Sequence, residues 1–347
     1  MDTTLPISPD SAEGSSVRCL HWAHGTAELQ ALGGMLAPVV FRAAGAPDFQ
    51  PLQVAPWADE PGNPQLPGLM RRLRGEWPCV PFGRTDRPAG LPADWARLDP
   101  GDAWGHGYAA HHDWQWLDDT DALTLALAID LPPDQPVARL ERRVRALPDA
   151  PALELSLVIH ARRACVLPVA LHPTLRLDAG RVQLRLPGRG AGHTYPVPAE
   201  PGASRVAAGA AFDSLAAVPL AGGGQADFSR YPQAADGEDL LLLTDAAGTA
   251  QADFLDASWS LSLEWDSAQL PDLMLWVSHR GRRYPPWNGR HWALGVEPVN
   301  GLFDLGRVAA APAGHPLADR RGLALSPDRP TVVRSRLHAR PLPAKAG

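Results

Sequence analysis

The stretch Ala152-Leu-Glu-Leu-Ser-Leu-Val-Ile-His160 sets Leu153, Leu155 and Leu157 at every second position. Side chains of a strand alternate between its two faces, so this spacing makes one face apolar and the other polar. The alternation recurs in Ala27-Glu-Leu-Gln-Ala-Leu32, Val182-Gln-Leu-Arg-Leu186 and Trp259-Ser-Leu-Ser-Leu-Glu-Trp265. Leu123-Thr-Leu-Ala-Leu-Ala-Ile129 is a further strand, closed by Asp130-Leu-Pro-Pro133, and Leu323 to Val333 reads as a turn feeding a final strand. Short half-buried strands punctuated by turn residues predict an all-β sandwich or barrel.

Composition agrees. The 37 prolines and 32 glycines interrupt the chain too often for long helices. The one helix candidate is Arg139 to Leu147, charged and ended by Pro148. There is no βαβ alternation, and Gly222-Gly-Gly224 lacks the Lys-Ser/Thr of a phosphate loop, so it reads as a turn. The simplest reading of the 347 residues is one β-rich domain over residues 18–340. A disordered tail is expected over 1–17 and a frayed one over 341–347.

Net charge is −6 with no basic stripe, which argues against nucleic acid as a partner. No apolar run reaches membrane-spanning length, and the polar N-terminus has no signal-peptide pattern, so a cytoplasmic protein away from membranes is expected. Cys19, Cys79 and Cys165 are isolated and are expected to pack as small hydrophobes. The 12 tryptophans are expected mostly in the core, with a few against a ligand.

One segment departs from the strand grammar. Trp292-Ala-Leu-Gly-Val-Glu297-Pro-Val-Asn-Gly301 sets a carboxylate in an apolar run, two residues after a glycine and just before a proline. A buried Glu is costly unless it is paired or neutral, so Glu297 is either a satisfied structural carboxylate or a tuned base. Leu171-His172-Pro173 offers a second proton-transfer group in a similar setting. His106, His111 and His112 have no Cys or Glu at metal-ligand spacing, and no metal or other cofactor is expected.

Four segments occur in order: Arg74-Gly-Glu-Trp-Pro-Cys-Val-Pro-Phe-Gly-Arg84, Gly105-His-Gly-Tyr-Ala109, Leu171-His-Pro-Thr-Leu175 and Leu294-Gly-Val-Glu-Pro298. Together they resemble the aldose 1-epimerase (galactose mutarotase-like) family, especially its hexose-6-phosphate mutarotase branch, over about residues 27 to 333. The resemblance implies an antiparallel β-supersandwich with a small-molecule carbohydrate bound on a concave face. It implies Glu297 as general base at the anomeric hydroxyl and His172 as general acid at the ring oxygen. It further implies sugar-binding roles for His106, for Asp239 in Gly237-Glu-Asp239, and for Arg84 and Arg74.

The chain departs from that pattern in three places. Ala110 stands where the branch has the arginine of HGFAR, Thr174-Leu175 where an aromatic follows His-x, and Glu76 where a second glycine stands. His111 and His112 are the nearest replacements for the arginine. Trp104, Trp77 and Trp287, the last in the turn Tyr284-Pro-Pro-Trp287, are candidates for the missing ring. Acid–base chemistry at an anomeric carbon needs no metal, nucleotide or covalent intermediate, and acid and base groups typically contribute ~10²–10⁴-fold. The expected activity is a mutarotase-like epimerase. Two alternatives are a carbohydrate-binding protein without turnover and a glycosidase or lyase pairing Glu297 with Asp239.

Overall fold

The computed structural model describes residues 16–343 apart from 62–64, 67, 119 and 189. The expected tail over 1–17 lies outside these except for Ser16 and Val17, and Val17 opens the strand Val17–Trp22. At the other end, Thr331–Pro341 is the last strand, and residues 344–347 lie outside the described residues.

Two large antiparallel sheets dominate. One runs in the spatial order Ala211–Phe212, Gly192–Thr194, Gly237–Leu243, Asp272–His279, Trp292–Asn300, Val169–Leu171 and Pro78–Cys79, with Thr174–Arg176 also pairing to Trp292–Asn300. The other runs Arg230–Tyr231, Val182–Arg185, Thr249–Phe254, Trp259–Trp265, Thr331–Pro341, Ala152–Ala161, Val137–Ala146, Thr124–Asp130 and Gln115–Leu117. No α-helix occurs among the described residues, and no helix there is long and apolar enough to cross a membrane.

The period-two segments form the strands they predict. Leu153, Leu155 and Leu157 of Ala152–Ala161 pack with Leu261 and Leu263 of Trp259–Trp265 in the core between the sheets. From the eight-stranded sheet, Leu241, Leu243, Leu273, Leu275, Leu294 and Val296 enter the same core. The opposite face of that sheet, with Leu240, Leu242, Met274, Trp276 and Val299, packs under loops into a second apolar cluster that holds Trp57, Trp77, Phe82 and Trp287. The site is built on this second face.

Two expectations are corrected. Arg139 to Leu147 is not helical but falls in the strand Val137–Ala146. Leu140, Arg142, Val144 and Ala146 point inward at period two, and the inward Arg142 hides the alternation. Its charge is matched by Glu76, itself buried, which joins the strand to the segment leading into Pro78–Cys79. The cysteines also differ from expectation: Cys79 is buried, but Cys19 is exposed and Cys165 only partly covered.

Candidate active site

Strand register places the two candidate proton-transfer residues, His172 and Glu297, side by side. Ala170 pairs with Val299 and Thr174 with Gly295, in one unbroken register that sets His172 opposite Glu297. The prolines beside them, Pro173 and Pro298, lack the N–H of a regular ladder, so the pairing opens locally here. On one side of the pair, Glu297 faces Met274. On the other, His172 N–H donates to Trp77 C=O at 2.9 Å, in register with the Leu171–Pro78 pair. Trp77, His172, Glu297 and Met274 therefore form one cross-strand row, and all four line a cavity of about 240 Å³.

Gly295 explains the spacing Gly-x-Glu. Residues two apart on a strand share a face. A Cβ at Gly295 would lie 2.2 Å from Glu297 Oε1, so only glycine leaves the carboxyl its place. Gly107, at φ 87°, is needed for close approach: a Cβ there would meet the Val80 carbonyl at 2.3 Å. It lets the chain after His106 pass over that strand.

His172 Nε2 lies 3.4 Å from Glu297 Oε1, and both residues are buried. The contact lacks hydrogen-bond geometry, so neither carboxyl oxygen of Glu297 has a hydrogen-bond partner among the described residues. Burial raises the Glu297 pKa well above the usual carboxylate range, and the charge of Asp304 adds to the rise. Burial likewise drives His172 well below the usual imidazole range, with His106 contributing. Both shifts favour the uncharged forms, a protonated Glu297 beside a neutral His172. Thr174 Oγ donates to His172 C=O and stands 3.2 Å from His172 Nδ1. In the His172 tautomer with its proton on Nδ1, facing Thr174 Oγ, Nε2 is the free base toward Glu297.

Aromatic rings shape the cavity. Trp77 stacks on His172 with centroids 4.0 Å apart, which fixes the imidazole plane. Trp276 and Trp287 supply a wall, and Trp276 is also stacked by His291 at 5.4 Å. His106 stands edge-on to His172 at 5.6 Å, and its buried Nδ1 has no hydrogen-bond partner. Burial pushes its pKa down to about 3, so the ring is neutral. His111 also lines the cavity, but its two ring nitrogens contact backbone, Gly105 C=O and Leu69 N–H.

The other residues singled out in the sequence lie elsewhere. Trp104 is not part of the lining and packs against His111 and His112. Asp239 falls on the opposite face of its strand from Leu240, toward the core between the sheets. Its carboxylate accepts from the backbone N–H groups of Arg205 and Val206 and from the Arg205 guanidinium. The same strand instead turns Glu238 toward the cavity side, where Trp276 Nε1–H and Ser278 Oγ–H donate to it at 2.6 and 3.1 Å. Arg74 is held by Asp59 and the Arg72 carbonyl, away from the lining. Arg84 grips Asp86 and stands one layer behind the wall, reaching Tyr195, whose O–H donates to Asp304 at 2.6 Å.

Two lining residues carried no motif in the sequence. Asp304 is partly exposed at the lining, and desolvation raises its pKa against the opposing Arg84 charge. Arg282 lays its guanidinium over Trp287 and Trp276, 4.6 and 5.5 Å from the ring centroids. Among the described residues, no cluster of three or more His, Cys, Asp or Glu is placed to hold a metal ion.

No protein-family model matches the chain, and no curated protein does at the sequence level. Solved structures do match. An Escherichia coli K12 protein provisionally assigned as an aldose 1-epimerase superposes with a TM-score of 0.63 at 15% identity, covering 94% of this chain and 99% of that one. An aldose epimerase homologue from C. elegans gives 0.60 at 12% identity, over 95% and 100% of the two chains. A galactose mutarotase-like protein from Lactobacillus casei gives 0.57 at 15% identity, over 93% and 100%. The architecture of this chain is that of the galactose mutarotase-like proteins.

Proposed function

We propose that the chain is a cofactor-independent aldose mutarotase, with Glu297 and His172 exchanging protons with the anomeric hydroxyl and the ring oxygen of a sugar. One observation carries this reading: a buried carboxyl without a hydrogen-bond partner and a neutral imidazole face each other across 3.4 Å at the floor of an aromatic cavity. The two oxygens they would serve are bonded to the same sugar carbon, so groups this close reach both at once.

The proton count closes over the cycle. With a closed sugar bound, the shared proton moves from Glu297 to His172, leaving carboxylate and imidazolium. Glu297 takes the proton of the anomeric hydroxyl while His172 Nε2 gives its own to the ring oxygen. The bond between the anomeric carbon and the ring oxygen breaks, and its electron pair goes to that oxygen. The open aldehyde then sits over protonated Glu297 and neutral His172, the resting state of the pair. After the aldehyde turns, the reverse transfers close the ring on its other face. No net proton enters or leaves, and a raised carboxyl beside a lowered imidazole favours the singly protonated pair. Trp77 holds the imidazole in plane, and Trp287 and Trp276 offer ring faces to the sugar's C–H surface. His106 offers an uncommitted nitrogen to a sugar hydroxyl.

Exchange NMR on anomeric mixtures of free and phosphorylated aldoses tests the reading. Acceleration over buffer, at least ~10²-fold greater than that of His172→Asn, is expected. Saturable binding with no acceleration for any sugar would instead mark a carbohydrate-binding protein.

A further inference from the structure

We propose that Arg282 and Asp304 are the specificity-determining residues of this cavity, a donor and an acceptor that together hold two neighbouring hydroxyl groups of the sugar ring. The inference rests on the reading of the cavity as a sugar site and names the residues that select the sugar.

The residues that the sequence pattern suggested for this role are engaged elsewhere. Asp239 is closed by Arg205, Arg74 is held by Asp59, and Arg84 by Asp86. None of the three lines the cavity, whereas Arg282 and Asp304 both do.

Arg282 is held along one edge and open along another. Its Nε lies 3.2 Å from Glu238 Oε1 and 3.5 Å from Glu200 Oε2, and its guanidinium lies over Trp287 and Trp276. These contacts orient the planar group. No hydrogen bond engages either Nη among the described residues, and the side chain is 24% exposed. Asp304 is half-committed in the same way. Tyr195 O–H donates to Oδ1 at 2.6 Å and anchors the carboxyl, while Oδ2 has no hydrogen-bond partner among the described residues. Desolvation raises the Asp304 pKa, and the charges of Arg84 and Arg282 oppose that rise, so the Arg282 charge is felt at the carboxyl.

A sugar supplies what both groups lack. A guanidinium only donates, a carboxylate only accepts, and each hydroxyl does both. On adjacent ring carbons, one hydroxyl can accept from an Arg282 Nη while the next donates to Asp304 Oδ2, and both bonds are charge-assisted. Glu297 and His172 face the anomeric end in the same cavity of about 240 Å³, so the clamp falls on hydroxyls further round the ring. The configuration at those carbons then decides which aldose fits. An epimer turns one hydroxyl away and leaves a charged group without its partner.

The test is a cycle between protein and ligand, with Kd read by ligand-observed NMR on the full chain. The ligands are the best-bound aldohexose and its monodeoxy analogues, each lacking one hydroxyl other than the anomeric one. Arg282→Met keeps an apolar stem by the tryptophans without the donors, and Asp304→Asn keeps the shape without the charge. Each variant is expected to bind the parent sugar at least about tenfold more weakly than wild type. Wild type is expected to lose about as much on one analogue for each residue, where the matching variant loses less than about threefold further. The two analogues are expected to be neighbours on the ring. Arg282→Gln and Asp304→Ser serve if the first variants do not fold. Unchanged binding by the variants, or weakening that is equal for every analogue, overturns the inference. Anomer exchange is read separately. Coupling in Kd with no sugar exchanging faster than in buffer keeps the inference and removes the catalytic reading. Faster exchange without coupling keeps the mutarotase reading and removes the inference. Binding of no sugar overturns both.

Discussion

Glu76 and Glu297 are both buried carboxyl groups close to the same strands, yet their surroundings are opposite. Glu76 closes on Arg142, equally buried, in a charge pair that ties the eight-stranded sheet to the nine-stranded one. Glu297 faces a neutral imidazole, and neither of its oxygens is hydrogen-bonded among the described residues. A buried acid whose charge is matched belongs to the architecture. One left without partners costs stability, and a fold that keeps it spends that cost on chemistry. The contrast supports the proposed role of Glu297 as a tuned base.

Breaking the matched pair has the largest expected effect. Arg142→Met leaves Glu76 buried without its countercharge and is expected to cost about 3–5 kcal/mol in urea unfolding. A loss under about 1 kcal/mol would erase the contrast.

Gly295→Ala attacks the unmatched acid through its neighbour. The new methyl would collide with the Glu297 carboxyl and also approach Trp276 Cβ at 3.0 Å. About 1–3 kcal/mol of stability is expected to be lost, with anomer exchange falling at least about tenfold in the folded fraction. Unchanged exchange would mean that the position of the carboxyl is immaterial.

Acid should act through the buried imidazoles. The pKa of His106 and of His291 lies at about 3, and that of His172 is lowered too, from an ordinary 6.5. Below 6.5 the unfolded chain binds protons that these folded sites refuse. Each therefore contributes stability that is present above 6.5 and lost as pH falls toward 3, by about 1.4 kcal/mol per pH unit at the steepest. Replacing His291 with Gln is expected to flatten the acid limb of the stability curve by up to that slope; an unaltered limb would place the titration elsewhere.

Glu297→Gln is expected to be the least destabilising of these changes, because no matched charge is broken. The size of its effect depends on pH. With its folded pKa raised, Glu297 lowers stability as pH climbs above the usual 4.5, so removing it is expected to help most at alkaline pH. Unfolding curves across pH read this directly.

Much of the fold was legible in local pattern. Leucines at period two specify strands whatever lies opposite them, and the Gly-x-Glu-Pro and His-Pro segments mark the places where a strand carries a proton-transfer group. What was not legible depends on which face a strand turns to which neighbour. Val137–Ala146 was obscured because the countercharge that permits Arg142 to point inward, Glu76, lies 66 residues away. In Gly237-Glu-Asp239 a one-residue difference decides which acid meets the cavity side, since a strand alternates its faces. The burial of Leu240 and Leu242 beside Trp276 would have pointed to Glu238, but it exists only once the sheet is assembled. Arg282 lies in Gly281-Arg-Arg-Tyr284, which reads as a solvated charge run, and Asp304 is one acid in an irregular loop. Both are brought to the cavity by tertiary packing alone.

The most direct test compares anomer exchange by the wild-type chain and by Glu297→Gln, at matched folded fraction and with the best-bound free aldose. The account predicts a loss of about 10²–10⁴-fold in exchange with folding and sugar binding retained. A Gln variant that exchanges anomers at the wild-type rate would contradict it.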